Sequence, residues 1–262
     1  MSNILNKLNK LIWSKSATLG ALSGTLGYAL TASLVPLLFN GCSSGSETAT
    51  TDADTTAVAT VASSEGEWQD LMSLDDWRNF KADTVGSAWV LQDGVLTLTG
   101  KGGGDLITRE QYDNFAFEME WKISEGGNSG LMFHVAEADT LGATYHTGPE
   151  YQLLDNERHP DAKIEKHRAG DNYDLQKSTV ETVKPAGEWN ETRLVVNNGM
   201  VEHYLNGEKV VEYELWTPEW EEMVANSKFA QFPAYGLAKE GHIALQDHGN
   251  EVSFRNIRVR RL

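Results

Sequence analysis

The predicted strand at residues 241–249 carries side chains that are suited to holding an oxygen-rich ligand. A period of two places two aliphatic residues on one face of this strand, and two imidazoles and an amide on the other. The polar residues are His242, Gln246 and His248. Imidazole and amide groups supply both hydrogen-bond donors and acceptors. A solvated sheet face is the plain alternative for this strand when it is taken alone.

Similar polar residues occur on other predicted strands or strand ends, which favours a shared ligand site. The candidates are His134, Glu150, Gln152, His203, Gln246 and His248. The sequence contains no Cys/His cluster and no His-Glu-x-x-His motif, so it signals no structural zinc site, and a looser His/Glu/Asp metal site is an open alternative. A glycosidase carboxylate pair is disfavoured, because Glu150 and Asp155 are five residues apart and fall on opposite faces of one strand.

The elements that must position these residues are short strands joined by glycine-containing turns. Strict alternation of apolar and charged residues predicts a strand at residues 115–123, and Asp-Gly or Asn-Gly pairs predict turns at 93–94, 198–199 and 206–207. A short helix is predicted after Thr217, which would be its N-cap. With no βαβ spacing, this pattern predicts an all-β domain, a two-sheet jelly-roll sandwich with one short helix.

A charged stretch between the strands, residues 156–184, has no strand pattern and contains several histidines and aspartates. Loops of this length in a compact domain are usually functional or disordered.

The N-terminal residues predict export and lipid anchoring. A lysine-containing start, an uncharged run at 17–39 and a glycine before Cys42 resemble a bacterial lipoprotein signal, with Cys42 as the lipidated residue. An uncleaved membrane anchor is the alternative, because the run is long enough to span a bilayer. We therefore expect a signal peptide at 1–41, a Ser/Thr/Ala-rich tether at 42–66 and one globular domain at 67–262, in the bacterial cell envelope.

The overall charge narrows the range of partners. The formal net charge is −16, and every acidic residue follows the predicted signal. This charge argues against nucleic acid or anionic lipid surfaces as ligands. A single cysteine also means that the domain depends on its core and not on disulfides.

Several blocks of the sequence resemble the 3-keto-disaccharide hydrolase family, in the family's order and over residues 67–262. The blocks are Asn-Ser-Gly-Leu-Met-Phe at 128–133, Gly-Pro-Glu-Tyr-Gln-Leu-Leu-Asp at 148–155, Gly-Glu-Trp-Asn at 187–190, the Asn206–Gly207 turn after His203, Ser-Lys-Phe at 227–229, and residues 241–258. One departure is His134, where the family usually has arginine after the phenylalanine. The resemblance implies a concanavalin-like jelly roll in secreted or lipid-anchored bacterial proteins that act on sugars oxidised at C3.

That implied substrate assigns roles to the candidate residues. A ketone at C3 acidifies the C2 proton, so a modest base suffices for elimination of the C1 substituent, and addition of water completes a net hydrolysis. We expect Glu150, His203 and His248 at the proton-transfer centre, or as ligands of a divalent metal ion that stabilises the enolate. The residues expected to bind sugar hydroxyls or the keto group are His134, Gln152, Lys228 and Gln246. A partner sugar 3-dehydrogenase would have to make the substrate.

A carbohydrate-binding module without turnover is the alternative from another functional class, because the same fold commonly serves as a lectin. Such a module would stack exposed aromatic rings on sugars, although most tryptophans of a small domain pack in its core. The tryptophans in question are Trp68, Trp77, Trp189, Trp216 and Trp220.

Overall fold

The computed structural model describes residues 66–262, which form a β-sandwich. The predicted signal peptide, Cys42 and nearly all of the predicted tether lie outside this range. The thirteen strands are β1 (Gln69–Asp70), β2 (Trp77–Asn79), β3 (Trp89–Gln92), β4 (Val95–Leu98), β5 (Leu106–Thr108), β6 (Phe115–Ile123), β7 (Asn128–Val135), β8 (Glu150–Leu154), β9 (Asn190–Asn197), β10 (Met200–Leu205), β11 (Glu208–Glu214), β12 (His242–Leu245) and β13 (Val252–Arg261). The helices are α1 (Pro218–Ala225) and four 3-10 turns at Leu74–Asp76, Thr144–His146, Pro160–Lys163 and Lys228–Gln231.

Two antiparallel sheets make up the sandwich, as predicted. The larger sheet has the order β11-β10-β9-β6-β13-β4-β3, with β1 paired to the end of β13. The smaller sheet has the order β2-β5-β12-β7-β8. Within residues 66–262, α1 is the only α-helix, and no helix is long and apolar enough to span a bilayer.

The predicted alternation of β6 is confirmed, and it shows how the core forms. Phe115, Phe117 and Trp121 are fully buried between the sheets, while Glu118 and Glu120 lie on the outer face. Those two carboxylates form ion pairs with arginines of the neighbouring β13. Burial of one face of each strand is the main stabilising contribution to such a sandwich.

The Asn-Gly turns of the meander β9–β10–β11 also follow the prediction. Asn198 and Asn206 have φ values of 51° and 52°, and the glycines that follow them have φ values of 90° and 88°. Two successive residues with positive φ are typical of a type I′ turn, whose twist matches that of the flanking strands. These turns fix the register of β10 against both of its neighbours.

The smaller sheet has two different faces. Its inner face contributes large apolar side chains such as Phe133, Tyr151 and Leu245 to the main core. Its outer face carries a small apolar cluster, Ile107, Met132, Val135 and Ala244. Glu150 and Gln152 alternate with Tyr151 along β8, so they lie on the outer face.

The charged stretch that follows β8 is ordered and pairs with the free edge of that strand. The backbone N–H of Gln152 donates to Asp171, and the N–H groups of Gly170 and Tyr173 donate to Gln152 and Glu150. An uncovered edge strand would leave these backbone groups unpaired. The loop therefore completes the smaller sheet and covers the beginning of β8.

Candidate functional site

Glu150, the first residue of β8, is a buried carboxylate on the outer face of the smaller sheet. Its side chain is 4% exposed, and it lies beside Gly130 on the neighbouring strand. A Cβ at Gly130 would approach Glu150 Oε1 to 2.3 Å, so the glycine provides the space that the carboxylate occupies. Burial raises the pKa of Glu150 from its ordinary 4.5 to about 8. The group is therefore a stronger base than an exposed glutamate.

Three charged side chains act on Glu150 from different segments. The positive charge of Lys228 favours ionisation of Glu150, whereas Asp105 and Asp161 oppose it. Only Lys228 was expected from the sequence. Asp105 follows the glycine-rich stretch at 100–104, and Asp161 lies in the charged loop, so neither residue is part of a strand pattern.

The structure brings Gln152 and Gln246 to the same face as Glu150. In the amide orientation that directs its nitrogen at neighbouring acceptors, Gln152 donates to Glu150 Oε1 at 3.2 Å and to Ser129 O at 3.0 Å. The backbone N–H of Gln246 donates to Gly130 O at 2.9 Å, which holds Gln246 against β7, the strand that lies between β12 and β8. Gln246 Oε1 is buried and has no hydrogen-bond partner among residues 66–262, which leaves an acceptor for a ligand hydroxyl.

Lys228 is held at the start of its 3-10 turn by the loop that covers β8. Its backbone N–H donates to Asp174 Oδ2 at 2.8 Å, and its Nζ lies 3.9 Å from the centre of the Tyr173 ring. The side chain is exposed, so the ammonium group is accessible from solvent. An ammonium over an aromatic face is attracted to the ring quadrupole, which restrains this cation near Glu150.

An acid–imidazole cluster supports that arrangement. His167 is almost fully buried, and its Nε2 lies 2.9 Å from Asp174 Oδ1. Its Nδ1 lies 3.6 Å from Asp161 Oδ2, which also accepts a hydrogen bond of 3.1 Å from Tyr173 Oη. His167 thus connects the carboxylate that holds Lys228 to the one that acts on Glu150.

His248 lies at the exposed rim of the site. The centre of its ring is 6.4 Å from that of the His159 ring. Burial raises the pKa of Asp105, and the charge of His248 opposes this increase. Asp105 accepts hydrogen bonds from Asp247 N at 2.9 Å and from Thr144 Oγ1 at 2.5 Å. This carboxylate therefore joins the His248 loop to the 3-10 turn Thr144–His146.

His203 does not lie with Glu150, in contrast to the sequence hypothesis. It is completely buried between the sheets, with its ring centre 4.7 Å from that of Tyr151 and 5.6 Å from that of Tyr213. Its Nδ1–H donates to Gly170 O at 3.0 Å, and burial lowers its pKa to about 4. The side chain points from the larger sheet into the core, where Tyr151 separates it from the outer face of β8.

His134 is also placed apart from the site, because β7 contains a bulge. His134 has a φ of 50°, and between Met132 and Val135 the register with β12 shifts by one residue. The bulge puts Val135 on the outer face and buries His134, whose Nε2–H donates to Asp113 O at 2.8 Å. A bulge of this kind reverses the face that simple alternation assigns to a residue.

Two further features of the described residues concern the alternatives of a metal site and of a sugar-binding module with exposed aromatic rings. Within residues 66–262, no group of three or more His, Cys, Asp or Glu side chains is arranged to hold a metal ion. Of the tryptophans, Trp77 and Trp220 are in the core, while Trp68 and Trp189 contact arginines of the larger sheet.

The fold and site define a β-sandwich protein with a buried carboxylate on the outer face of its smaller sheet. The chain belongs to the family described as the 3-keto-alpha-glucoside-1,2-lyase-like domain, which matches residues 67–260. It is 40% identical over 217 residues to a protein of Bacteroides thetaiotaomicron named 3-keto-disaccharide hydrolase, covering 72% of this chain and 75% of the relative.

Solved structures agree with this assignment. A putative glycosyl hydrolase from Parabacteroides distasonis has a TM-score of 0.70 and 33% identity, covering 75% of this chain and 94% of the other. A second one from the same organism has a TM-score of 0.59 and 25% identity, covering 75% of this chain and 100% of the other.

Proposed function

We propose that this chain cleaves the glycosidic bond of sugars that carry a ketone at C3, with Glu150 as the base. The family and the name of the Bacteroides relative support hydrolysis of a glycosidic bond in an oxidised disaccharide. The observation that carries the proposal is the buried carboxylate of Glu150, whose pKa is raised to about 8. The charge of the exposed Lys228 side chain acts on this carboxylate.

The chemistry requires one base and one electrophilic group. Glu150 removes the C2 proton, and the electron pair of the C2–H bond becomes an enolate with its charge on the C3 oxygen. The enolate then expels the C1 substituent, whose oxygen takes up a proton, and leaves a double bond between C1 and C2. Water adds at C1 and a proton returns to C2, so the net reaction is hydrolysis.

Lys228 is the group that suits the C3 oxygen. Its ammonium lies near Glu150 and is fixed over Tyr173, so it can face negative charge that develops on the ketone oxygen. We propose that the amides of Gln152 and Gln246 bind hydroxyl groups of the same ring. Addition of a chelator tests whether the reaction requires a divalent ion.

The proposed reaction has consequences for partners and location. A C3 ketone has to be introduced before cleavage, so a sugar 3-dehydrogenase must supply the substrate. We also propose that Cys42 is lipidated and holds the domain in the cell envelope, on the basis of the N-terminal signal pattern.

The test compares a 3-keto-glucoside with its parent glucoside, using the full-length chain with and without chelator. Release of the leaving group from the keto-sugar alone supports the elimination route. Glu150→Gln should lower kcat by at least about 100-fold. The matched control is Glu120→Gln, the same change on the outer face of the other sheet, which should keep its rate. If Glu150→Gln keeps its rate under saturating substrate, Glu150 is not the base. Measurable binding without cleavage would favour a sugar-binding module instead.

A further inference from the structure

Three aromatic rings form a cluster at the surface next to the Glu150 site. The rings of His146 and Phe232 are stacked, with centres 4.4 Å apart and planes 20° apart. The Tyr145 ring stands edge-on to both, with centre distances of 5.1 Å to His146 and 5.7 Å to Phe232. Tyr145 is 39% exposed, although it is large and mostly apolar. The proposed chemistry at Glu150 does not use this cluster.

Both segments that carry the cluster are anchored at the site. Thr144, which precedes Tyr145, donates a hydrogen bond to Asp105, and Asp105 acts electrostatically on Glu150. Phe232 directly follows the 3-10 turn that begins with Lys228, the other charged group acting on Glu150. The cluster therefore borders the Glu150 site where the segments of Asp105 and Lys228 meet.

We propose that Tyr145, His146 and Phe232 form the subsite for the leaving group, and that the leaving group is a second pyranose ring. This inference rests on the proposed function of Glu150. The ring that bears the ketone lies over the polar residues of the smaller sheet, and the ring across the scissile bond packs on the aromatic cluster.

The surface chemistry of a pyranose fits the cluster. Its axial C–H groups form an apolar, slightly positive face, which packs on the negative face of an aromatic ring. Hydroxyl groups at its edge need hydrogen-bond partners. His146 Nδ1 accepts a hydrogen bond from Gly142 N, which places the ring proton on Nε2 as a donor.

The experiment measures kcat/KM of the full-length chain on three 3-keto-glucosides, whose leaving groups are glucose, nitrophenol and methanol. Tyr145→Ala should lower kcat/KM about tenfold for the disaccharide and leave the methyl glycoside unchanged. Tyr145→Phe keeps the ring and should restore the wild-type rate. Met200→Ala is the matched control, because Met200 is also 39% exposed but lies on the larger sheet.

The other outcomes separate the proposed subsite from a structural role, from an aryl subsite and from a failure of the proposed function. An equal effect of Tyr145→Ala on all three substrates would mean a general structural role, and an effect on the nitrophenyl substrate alone would mean an aryl subsite. If the wild type cleaves none of the three, the proposed function has failed, and the dissociation constant for the keto-disaccharide decides the inference separately. Weaker disaccharide binding by Tyr145→Ala than by Tyr145→Phe would then support the subsite, and equal binding would overturn it.

Discussion

Replacing Glu150 by glutamine should change the pH dependence of stability as well as that of activity. The pKa of the carboxyl is 4.5 in an ordinary setting and about 8 when the chain is folded. Between these two values the unfolded chain has lost the Glu150 proton and the folded chain has kept it. The contribution of Glu150 to the free energy of unfolding therefore falls as pH rises through this window. Glutamine has a similar shape and no proton to lose.

The size of the effect follows from the linkage of the two pKa values. Each pH unit inside the window is worth about 1.4 kcal/mol, so the wild type should lose roughly 3 kcal/mol relative to Glu150→Gln between about pH 5 and pH 7.5. Denaturant unfolding of both proteins across this range measures the difference. Because the two proteins share all other titrating groups, the contributions of those groups to the difference cancel. The kcat/KM of the wild type should rise over the same range, towards a plateau above about pH 8, since the base acts in its ionised form.

Parallel stability curves for the two proteins would refute this reasoning. They would mean that the Glu150 carboxyl titrates alike in the folded and unfolded chains, and so has an ordinary pKa. A rise in kcat/KM centred near pH 4.5 would lead to the same conclusion from the kinetic side.

Substitutions at four other positions test the surroundings of Glu150 and the placement of His203. Lys228→Met removes a charge that lowers the pKa of Glu150, so the rising limb of kcat/KM should move to higher pH and the maximal rate should fall roughly 100-fold, whereas Lys228→Arg should retain most of it. Asp105→Asn should move the same limb to lower pH, because the Asp105 charge raises the pKa of Glu150, and a pH–rate profile without this shift would contradict the placement. Gly130→Ala puts a methyl group 2.3 Å from Glu150 Oε1, so kcat should fall roughly 100-fold while circular dichroism stays native, and an unchanged kcat would refute the contact. His203 is neutral in the folded chain with a pKa of about 4, so its contribution to the free energy of unfolding falls as pH falls from 6.5 towards 4. Relative to His203→Leu, the wild type should therefore lose stability over this range in denaturant unfolding, and parallel curves for the two proteins would argue against burial of the imidazole.

The local architecture was predictable because it depends on near neighbours in the chain. The alternation of β6 and the Asn-Gly pairs around β10 each specify a strand or a turn within a few residues. The placement of Gln152 on the strand of Glu150, and of Gln246 directly after β12, follows from the same periodicity.

The errors arose where a residue's surroundings come from distant segments. His203 lies on the expected strand, but only the packing of one sheet on the other shows that its face is the core. His134 follows an alternating pattern, and the bulge that turns it away depends on the register with β12. Asp105 and Asp161 were missed because they lie in segments without periodicity, where sequence neighbours say little about spatial ones.

The loop that covers β8 links the fold to the strength of the base. Its backbone pairs with that of Glu150 and Gln152, next to the point where the Glu150 carboxylate is buried. The same loop supplies Asp174 and Tyr173, which hold Lys228 next to that carboxylate. Burial raises the pKa of Glu150, whereas the charge of Lys228 lowers it. Docking of this one loop therefore affects both of the opposing contributions to that pKa. A substitution that loosens the loop should therefore return the pKa of Glu150 towards its ordinary value and weaken the base, even if it touches no atom of the substrate.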